Sequence, residues 1–439
     1  MTSEVSWPRM TLRDAGVTLI DCDHRTPAAQ ADGFPYIAIP QLKDGHICLD
    51  GSERRISPSD FVEWTKKLRP QQHDVIVVRR CSSGDSAVVP AGFECAIGQN
   101  LVVLRADGAR ITPPFLRWLV RSKDWWEQVR KYLNVGAVFD SLKCREIPLF
   151  ELPVPPLEVQ SEVASLLQSI DDRITLLRET NATLEAIAQA LFKSWFVDFD
   201  PVRAKQEGRA PEGMDDATTA LFPDGFEESE LGLVPRGWRV GTLADLADLN
   251  PESWTAKSHP STVAYVDLAN TKDNEIAEIV DYPFNEAPSR ARRVLRNGDT
   301  IVGTVRPGNR SFAFIHSAAS NLTGSTGFAV LRPRKPENTE FVYLAATQDS
   351  SIEGLAHIAD GGAYPAVRPE VVAGLQSILT SIEIMNAFHD VVEPLLAAIA
   401  ENQQQARTLA TMRDTLLPRL ISGQLRLPEA QAQLGVALV

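Results

Sequence analysis

The sequence predicts an α+β protein in which two similar globular domains are separated by two long antiparallel helices that form a coiled coil. Three observations lead to this fold class. The second half of the chain resembles the first at a shift of about 225 residues, which predicts an internal repeat with a pseudo-twofold axis. Each half ends in a stretch with heptad spacing. The remainder of each half alternates β-branched runs with glycine and proline.

The composition is that of a globular protein with more than one domain. The chain has 439 residues, of which 44% are hydrophobic and 23% are charged. This length suits two or three domains with their own cores. No apolar run reaches the roughly 18 residues of a membrane span, and the first residues lack the apolar core of a signal peptide. We therefore expect a cytoplasmic protein that has no membrane partner.

The acidic charge is unevenly distributed along the chain. The net charge is −13, yet residues 151–235 alone contain 6 basic and 17 acidic residues. Both predicted globular domains are close to neutral and can present basic faces. The net charge therefore does not exclude nucleic acid as a partner.

The repeat is visible in short matching segments along both domains. YIAIPQLKDG matches YVDLANTKDN, HDVIVV matches GDTIVG, NLVVLR matches GFAVLR, and NVGA at 134–137 matches DGGA at 360–363. The small differences in shift are those that loop insertions produce. We predict that both domains share one fold.

The strongest match is between two helical stretches. The first seam consists of Val163, Leu167, Ile170, Ile174, Leu177, Asn181, Leu184, Ala188, Leu191 and Trp195. Adding 225 gives the second seam: Phe388, Val392, Leu395, Ile399, Asn402, Ala406, Leu409, Arg413, Leu416 and Leu420. Each would span about 50 Å as a helix, so we expect the two helices to pack on each other.

The two asparagines of the seams are predicted to lie opposite each other. Asn181 falls two residues after the centre of the first seam and Asn402 two residues before the centre of the second. Antiparallel pairing brings them together. One interpretation is that they fix the helix register through a hydrogen bond, as core asparagines do in coiled coils. The other is that they lie where the seam is loosely packed and hydrated.

These features divide the chain into six segments. The predicted boundaries are 1–153 for domain 1, 154–200 for the first long helix, 201–230 for an acidic surface connector rich in proline and glycine, 231–380 for domain 2, 381–425 for the second long helix and 426–439 for a tail.

The sequence offers no catalytic or metal site. It contains no GxxxxGK[ST] phosphate loop and no compact nuclease cluster, and its five cysteines lack metal-ligand spacing. Asn250-Pro251-Glu252-Ser253 resembles the start of an amino-methyltransferase tetrad, but it lacks the aromatic residue that stacks on a flipped base. We interpret it as the turn that starts a helix.

Basic residues in both domains suggest contact with DNA. Arginine forks bridge phosphates and pair with guanine edges, although a run of arginines is also typical of a solvated surface. The candidates are Arg54, Arg55, Lys66, Lys67, Arg79 and Arg80 in domain 1, and Arg290, Arg292, Arg293, Arg306, Asn309 and Arg310 in domain 2. Two diverged basic domains suggest one molecule that reads two different half-sites.

The whole chain resembles the specificity subunits of type I restriction-modification systems. The segment from LPVPPLEVQ to SWFVDFDP resembles the central conserved region of that family, ELGLVPRGWRVGTLADL its usual entry to the second target-recognition domain, and PSRARRVLRNGDTIVGTVRP a recurrent stretch within such domains. The second conserved region departs from the family pattern, because it has LLPRLISGQL in place of a WFVDFD ending.

The resemblance implies a non-catalytic subunit that reads bipartite double-stranded DNA. Each target-recognition domain would read one half of the site, and the helices would set a half-site spacing of roughly 34 Å. Two modification subunits would bind the helices and carry S-adenosylmethionine. Two restriction subunits would add translocation and cleavage with ATP and Mg²⁺, so this chain itself would hold no cofactor.

An aromatic stripe beside the first seam is predicted to dock the modification subunit. Leu191 and Trp195 belong to the seam, whereas two helices can pair without the neighbouring stripe. The predicted docking residues are Phe192, Phe196, Phe199, Leu417 and Ile421. Two competing interpretations are a coiled-coil protein scaffold that does not bind DNA and a self-contained DNA enzyme.

Overall fold

The fold is that of a computed structural model, which describes residues 7–136, 140–230, 232–359 and 365–437. The chain divides into two compact units. Unit 1 comprises residues 1–175 and 406–439, and unit 2 comprises residues 176–405. Each unit therefore contains one globular domain and parts of both long helices. Of the predicted match between NVGA and DGGA, residues 137 and 360–363 lie outside the described residues.

The first globular domain precedes the first long helix and contains eleven strands and three helices among its described residues. They are β1 (Arg9–Thr11), β2 (Val17–Asp21), β3 (Phe34–Ile37), β4 (Leu42–Lys43), β5 (His46–Ile47), β6 (Arg54–Ile56), α1 (Pro58–Thr65), β7 (Val75–Val78), β8 (Ser86–Val88), β9 (Ala96–Ile97), β10 (Leu101–Ala106), α2 (Pro113–Leu119), α3 (Lys123–Tyr132) and β11 (Glu151–Pro153).

The first long helix and the segment after it lead into the second domain. The elements are α4 (Leu157–Phe196), α5 (Asp200–Gln206), α6 (Asp216–Leu221), β12 (Phe226–Ser229) and β13 (Gly232–Pro235). The predicted connector is thus folded in part. Val202 and Phe222 are buried in the core of unit 2.

The second domain and the second long helix complete the chain. The elements are β14 (Arg239–Thr242), α7 (Leu243–Leu246), β15 (Ala247–Leu249), β16 (Thr262–Val266), β17 (Thr271–Lys272), β18 (Glu275–Ile276), β19 (Val280–Pro283), β20 (Ala291–Val294), β21 (Asp299–Gly303), β22 (Phe312–Ile315), β23 (Leu322–Ser325), β24 (Phe328–Pro333), α8 (Thr339–Thr347), α9 (Asp349–Ala359), α10 (Pro369–Ala373), β25 (Gln376–Leu379), α11 (Ile382–Ile421) and α12 (Leu427–Ala437).

The two domains share one sheet topology. A four-stranded sheet has the order β2-β10-β7-β8 in the first domain and β15-β24-β21-β22 in the second. A second sheet pairs β3 antiparallel with β6 and parallel with β9, and β16 likewise pairs with β19 and β23. Pairs β1-β11 and β14-β25 close each domain where it meets its long helix. The predicted repeat and the α+β fold class are confirmed.

One ion pair recurs at equivalent places in both four-stranded sheets. Arg105 of β10 pairs with Asp74 at 2.6 Å, and Arg332 of β24 pairs with Asp299 at 2.8 Å. Both carboxylates are buried, with side-chain exposures of 1% and 0%. These residues lie within the matching segments HDVIVV/GDTIVG and NLVVLR/GFAVLR, so the match reflects a shared structural pair rather than a binding site.

The heptad seams form the contact between α4 and α11. Both helices are 40 residues long, or about 60 Å. In unit 1, Leu167, Ile170 and Leu409 are no more than 4% exposed, and in unit 2 the same holds for Ala188, Val392 and Ile399. The predicted antiparallel helix pair is confirmed within each unit.

The two seam asparagines meet within unit 2. Asn402 Nδ2 donates a hydrogen bond to Asn181 Oδ1 at 2.9 Å, and Asn181 Nδ2 donates to the Ile399 carbonyl oxygen at 3.2 Å. Their predicted role in setting the register stays a prediction.

Candidate nucleic-acid interface

The basic residues of domain 2 lie on two different sheets. Arg292 and Arg293 belong to β20, in the sheet of order β19-β16-β23-β20. Arg306 and Arg310 flank a one-turn 3-10 helix that follows β21 of the other sheet. A stretch that is continuous in sequence is therefore divided between two surfaces of the domain.

The turn at 306–310 has the geometry of an exposed recognition loop. Arg306 and Arg310 both have positive φ angles, 48° and 59°, which residues with side chains rarely adopt. The Arg306 N–H donates to the Pro365 carbonyl at 2.8 Å, and Asn309 N–H donates to the Arg306 carbonyl at 2.8 Å. Arg306 and Asn309 are exposed. The backbone thus fixes a tight turn that presents a guanidinium and an amide to solvent.

Four of the predicted DNA contacts are neutralised by neighbouring carboxylates. Each partner comes from the same domain, and such pairs lower the attraction of a basic side chain for phosphate. The pairs are Arg310 with Asp273 and Asp349, Arg290 with Asp267, Arg55 with Glu53 and Lys66 with Glu63.

The basic residues of domain 1 are also divided between sheets. Arg54 and Arg55 lie on β6, Lys66 and Lys67 follow α1, and Arg79 and Arg80 follow β7 of the four-stranded sheet. Arg54 and Lys67 are exposed. Each is held by a backbone oxygen: Arg54 donates to Pro27 at 3.0 Å, and Lys67 donates to Cys22 at 3.4 Å.

Two of the predicted DNA contacts, Arg79 and Arg293, have a buried guanidinium nitrogen without a hydrogen-bond partner among the described residues. The Nε atoms of Arg79 and Arg293 are buried in this way. Burial lowers the pKa of Arg293 from its usual value. Buried donors without partners are uncommon in proteins. The same condition holds for Arg117 Nε and Arg121 Nη1, so it does not by itself mark a DNA contact.

Both domains also contain an arginine stacked on an aromatic ring; the sequence analysis named Arg292 as a DNA contact but predicted neither stack nor Arg25. In domain 2, Arg292 lies 4.7 Å from the ring centroid of Phe284, and His259 stacks on that ring at 3.8 Å. In domain 1, Arg25 lies 4.7 Å from the ring of Trp64. Stacking preorients the guanidinium for bidentate contacts. The stacked groups are distant in sequence, so no local pattern marks them.

The predicted docking residues are buried inside the chain, and this prediction is wrong. Phe192, Phe196 and Phe199 are 2%, 3% and 8% exposed. Phe196 packs against Phe341 of α8, with ring centroids 4.8 Å apart, and belongs to the core of unit 2. The reason is that the globular domain itself covers the second stripe of the helix.

The counterparts of these residues in α11 are buried too. Leu417 is 5% exposed and Ile421 is 1% exposed, both in unit 1. Neither side chain is available as the exposed docking surface that the sequence analysis predicted.

The segment Asn250-Pro251-Glu252-Ser253 has a structural role. Asn250 begins no helix; its side-chain oxygen accepts from the Val330 N–H at 3.0 Å, and Glu252 pairs with Arg296 and Arg332. The expectation of a helix start is thus wrong, because the segment joins β15 to the sheet beside it.

Asp21, Cys22 and His24 form a cluster of side chains of the types that bind metal ions, and their possible metal-ligand atoms lie within 4.8 Å of one another. His24 Nε2 lies 3.1 Å from Asp21 Oδ2. Burial raises the pKa of the Cys22 thiol to about 11. The thiol is therefore protonated at neutral pH, and the hydrogen-bonded pair explains the cluster.

The geometry can be compared with known proteins. A family model described as the type I restriction modification DNA specificity domain matches residues 23–186. The MjaIX type I restriction enzyme specificity subunit of Methanocaldococcus jannaschii is 23% identical over 401 residues, which cover 90% of this chain and 88% of the relative. Over most of its length, the chain is thus similar to type I restriction enzyme specificity subunits.

A second relative is similar in sequence, and one solved structure is similar in fold. The HindI specificity subunit of Haemophilus influenzae is 26% identical over 384 residues, covering 75% of this chain and 81% of that subunit. The crystal structure of the S subunit of a type I restriction-modification system from M. genitalium shares the fold, with a TM-score of 0.51, 14% identity and coverage of 96% and 97%. No described helix is long and apolar enough to cross a bilayer.

Proposed function

We propose that this chain is the DNA-recognition subunit of a type I restriction-modification complex, with each globular domain reading one half of a bipartite site. The observation that carries this function is the duplication. Two domains of one topology bear different basic and aromatic groups, as the reading of two different half-sites requires. Similarity to type I restriction enzyme specificity subunits supports the same function.

The most direct DNA contacts are proposed for the exposed and the stacked groups. In domain 2 these are Arg306 and Asn309 of the turn and Arg292 on its aromatic ring. An asparagine side chain can pair with adenine and a guanidinium with guanine or phosphate. In domain 1 the stacked Arg25 already pairs with Asp23 at 2.6 Å and with Glu63 at 3.4 Å, so we propose no direct DNA contact for it. Arg310 is proposed to hold the turn rather than to bind DNA.

The catalytic steps are proposed to reside in partner subunits. Modification subunits would carry S-adenosylmethionine, and restriction subunits would use ATP and Mg²⁺. We propose that the modification subunit docks on the helix pair, as the family resemblance implies, and that the length of the helices sets the half-site spacing.

An outer stripe of α4 in unit 2 is a suitable docking surface. It runs one position before the seam, with the same alternation of three and four residues, and consists of Leu176, Thr180, Thr183, Ile187 and Ala190. Leu176 is 52% exposed and Ile187 is 43% exposed. A helix with apolar stripes beyond the one that meets its partner is typical of a bundle of more than two helices.

The polar members of this outer stripe can be buried at little cost. Thr180 Oγ1 donates to the Leu176 carbonyl at 2.8 Å, and Thr183 Oγ1 donates to the Glu179 carbonyl at 3.0 Å. Their hydroxyls are satisfied within the helix and leave methyl groups for contact. The same offset in α11 gives Val391, 44% exposed, and Pro394, also exposed. In an antiparallel pair these positions share one side.

Docking is tested with Leu176→Asp combined with Ile187→Asp. We expect the variant to fold and to elute without its modification subunit in gel filtration, because two charges would face the apolar side of a partner helix. Ile358→Asp is the matched control, since Ile358 is 60% exposed but lies on α9. Assembly that survives the double substitution would contradict the docking proposal.

DNA recognition is tested by binding of duplex DNA to the chain together with its modification subunit. Affinity should fall steeply with salt, because neutralised phosphates release counterions. Affinity without salt dependence would favour a protein scaffold. Methyl transfer or cleavage by the purified chain alone would show a self-contained enzyme.

A further inference from the structure

The helix pair contains a buried ion pair in unit 1. Arg413 Nη1 of α11 donates to Asp171 Oδ1 of α4 at 2.7 Å, and the two side chains are 2% and 1% exposed. Arg413 occupies a seam position where every other residue except the two asparagines is hydrophobic. A charge at such a position costs desolvation unless a partner is placed close to it.

A network holds both charges in place. Asp171 also accepts from Arg117 Nη2 at 2.6 Å, and His46 Nε2 lies 3.1 Å from it. Arg413 reaches Asp44 at 3.1 Å and Asp414 at 2.8 Å. Although burial raises the pKa of the Asp171 carboxyl, the hydrogen bond from His46 and the charges of Arg117 and Arg413 hold it well below its usual range.

The network is divided unevenly between the two halves of the chain, which are residues 1–212 (the first half) and 213–439 (the second half). Asp171, Arg117 and His46 all belong to the first half, so Asp171 keeps two partners without the second half. Arg413 belongs to the second half and finds Asp171 and Asp44 only in the first; without the first half it keeps Asp414, whose side chain is 58% exposed. The buried arginine therefore depends more on the pairing of the two halves than the aspartate does.

The equivalent places in unit 2 are apolar. A shift of about 225 residues relates Asp171 to Leu396 and Arg413 to Ala188. Leu396 is 2% exposed and Ala188 is 0% exposed. The repeat thus uses an ion pair at one end of the helix pair and two hydrophobic residues at the other.

This asymmetry distinguishes correct pairing from pairing between like halves. Two second halves placed together with the same antiparallel register would put Arg413 opposite Leu396 of the other copy. The turn that supplies Asp44 has its counterpart at Asp273, which already pairs with Arg310. Such a dimer contains two copies of Arg413, and each would lose its buried partner. Because the two halves are equal in number, this penalty also suppresses dimers of first halves.

We propose that Asp171 and Arg413 act as a pairing code that makes the two halves of the chain select each other. Each subunit then presents one globular domain of each kind. With the proposed function, on which this consequence for DNA rests, the code directs the subunit to a site with two different halves. Specificity of this kind comes from contacts that are lost in the wrong partner.

The code is tested on the folded full-length chain with a protease site inserted between Glu212 and Gly213. Both residues are exposed. After cleavage, the halves exchange in urea below the unfolding midpoint, and native mass spectrometry separates the mixed dimer from the two dimers of like halves. An isotope-labelled sample mixed with an unlabelled one shows when exchange is complete. Without any code, about half of the dimers would contain like halves.

The cleaved wild-type chain and Arg413→Lys, which keeps the charge, should give mixed dimers only. Arg413→Met should raise the fraction of like-half dimers at least about tenfold, because the second half no longer buries a charge that needs Asp171. Leu409→Ala is the matched control, since it removes a buried seam side chain, 2% exposed, and leaves the ion pair intact. It should give mixed dimers only.

Mixed dimers alone for Arg413→Met after full exchange would overturn the code, as would an equal rise for Leu409→Ala. If Arg413→Met does not fold, Arg413→Gln provides the same comparison with a neutral polar group. The measurement contains no DNA, so its failure would leave the proposed function intact. Loss of DNA binding would likewise leave the pairing result unchanged.

Discussion

The aromatic cluster at the end of α4 allows a sharp distinction between a core and a docking surface. Phe196 is 3% exposed, and its ring lies 4.8 Å from that of Phe341, 4.9 Å from that of Phe388 and 6.0 Å from that of Trp238. Phe196→Ala would leave a cavity that these rings can fill only in part. The substitution should therefore destabilise unit 2 directly.

The size of the effect follows from this burial. Replacement of a buried phenylalanine by alanine costs about 3–5 kcal/mol of unfolding free energy. Unit 2 comprises residues 176–405, or 230 residues. For a unit of this size, we expect the melting temperature to fall by about 10 °C. Ile187→Ala on the same helix should change the free energy by no more than about 0.5 kcal/mol, because that side chain is 43% exposed.

The assay is urea unfolding of the full chain, monitored by tryptophan fluorescence. The urea midpoint of each variant is compared with that of the wild type, provided that the dependence of the unfolding free energy on urea is unchanged. Gel filtration with the modification subunit provides the second measurement. We expect Phe196→Ala to lower the midpoint and Ile187→Ala to leave it in place. If Phe196→Ala keeps wild-type stability and abolishes assembly, the burial of Phe196 is not what the ring contacts indicate, and the docking surface predicted from sequence is restored.

Three further predictions follow from particular contacts. Arg306→Ala should weaken DNA binding by about 1–3 kcal/mol in fluorescence anisotropy, whereas Arg310→Ala should chiefly lower the melting temperature of unit 2; equal losses of affinity would contradict the division of roles. Burial raises the pKa of the Glu185 carboxyl. The folded chain thus binds this proton more tightly than the unfolded chain, and stability is lost as pH rises through the raised pKa. Glu185→Gln should therefore make the melting temperature fall less between acid and neutral pH than in the wild type, although the amide loses one of the hydrogen bonds from Tyr343 and Asn274; an equal fall in both proteins would refute this. Replacing both Asn181 and Asn402 with leucine should increase the melting temperature and change the preferred half-site spacing of methylated DNA; an unchanged spacing would refute the register role.

The sequence was sufficient for the helices and the duplication because both depend on local or repeated patterns. A heptad seam is visible in a single continuous stretch of sequence. Asn181 and Asn402 could therefore be placed opposite each other from their distances to the seam centres alone. Their hydrogen bond of 2.9 Å agrees with that placement. The charged residue Arg413 within the second seam was visible in the sequence too. Its partner Asp171 was not predicted, because it lies one position after the seam residue Ile170 and is not part of the heptad pattern.

The sequence was insufficient where tertiary packing chooses between surfaces. Phe192 and Phe196 form a stripe that either a partner or the chain's own domain could cover, and α8 covers it. Periodicity cannot distinguish these outcomes, because both bury the same residues. The stack of Arg292, Phe284 and His259 joins residues from three separate segments. Ion pairs such as Arg310 with Asp349 are equally non-local, so a run of arginines overstates the charge available to DNA.

The central claim is that this chain determines which DNA sequence its complex modifies. It is tested most directly by mapping methylated adenines in the host genome with the gene intact and with the gene deleted. We predict a methylated motif with two separated and different halves that disappears on deletion and returns when the gene is restored. A methylation pattern that is identical in the intact and deleted strains would contradict the assignment of DNA recognition to this chain.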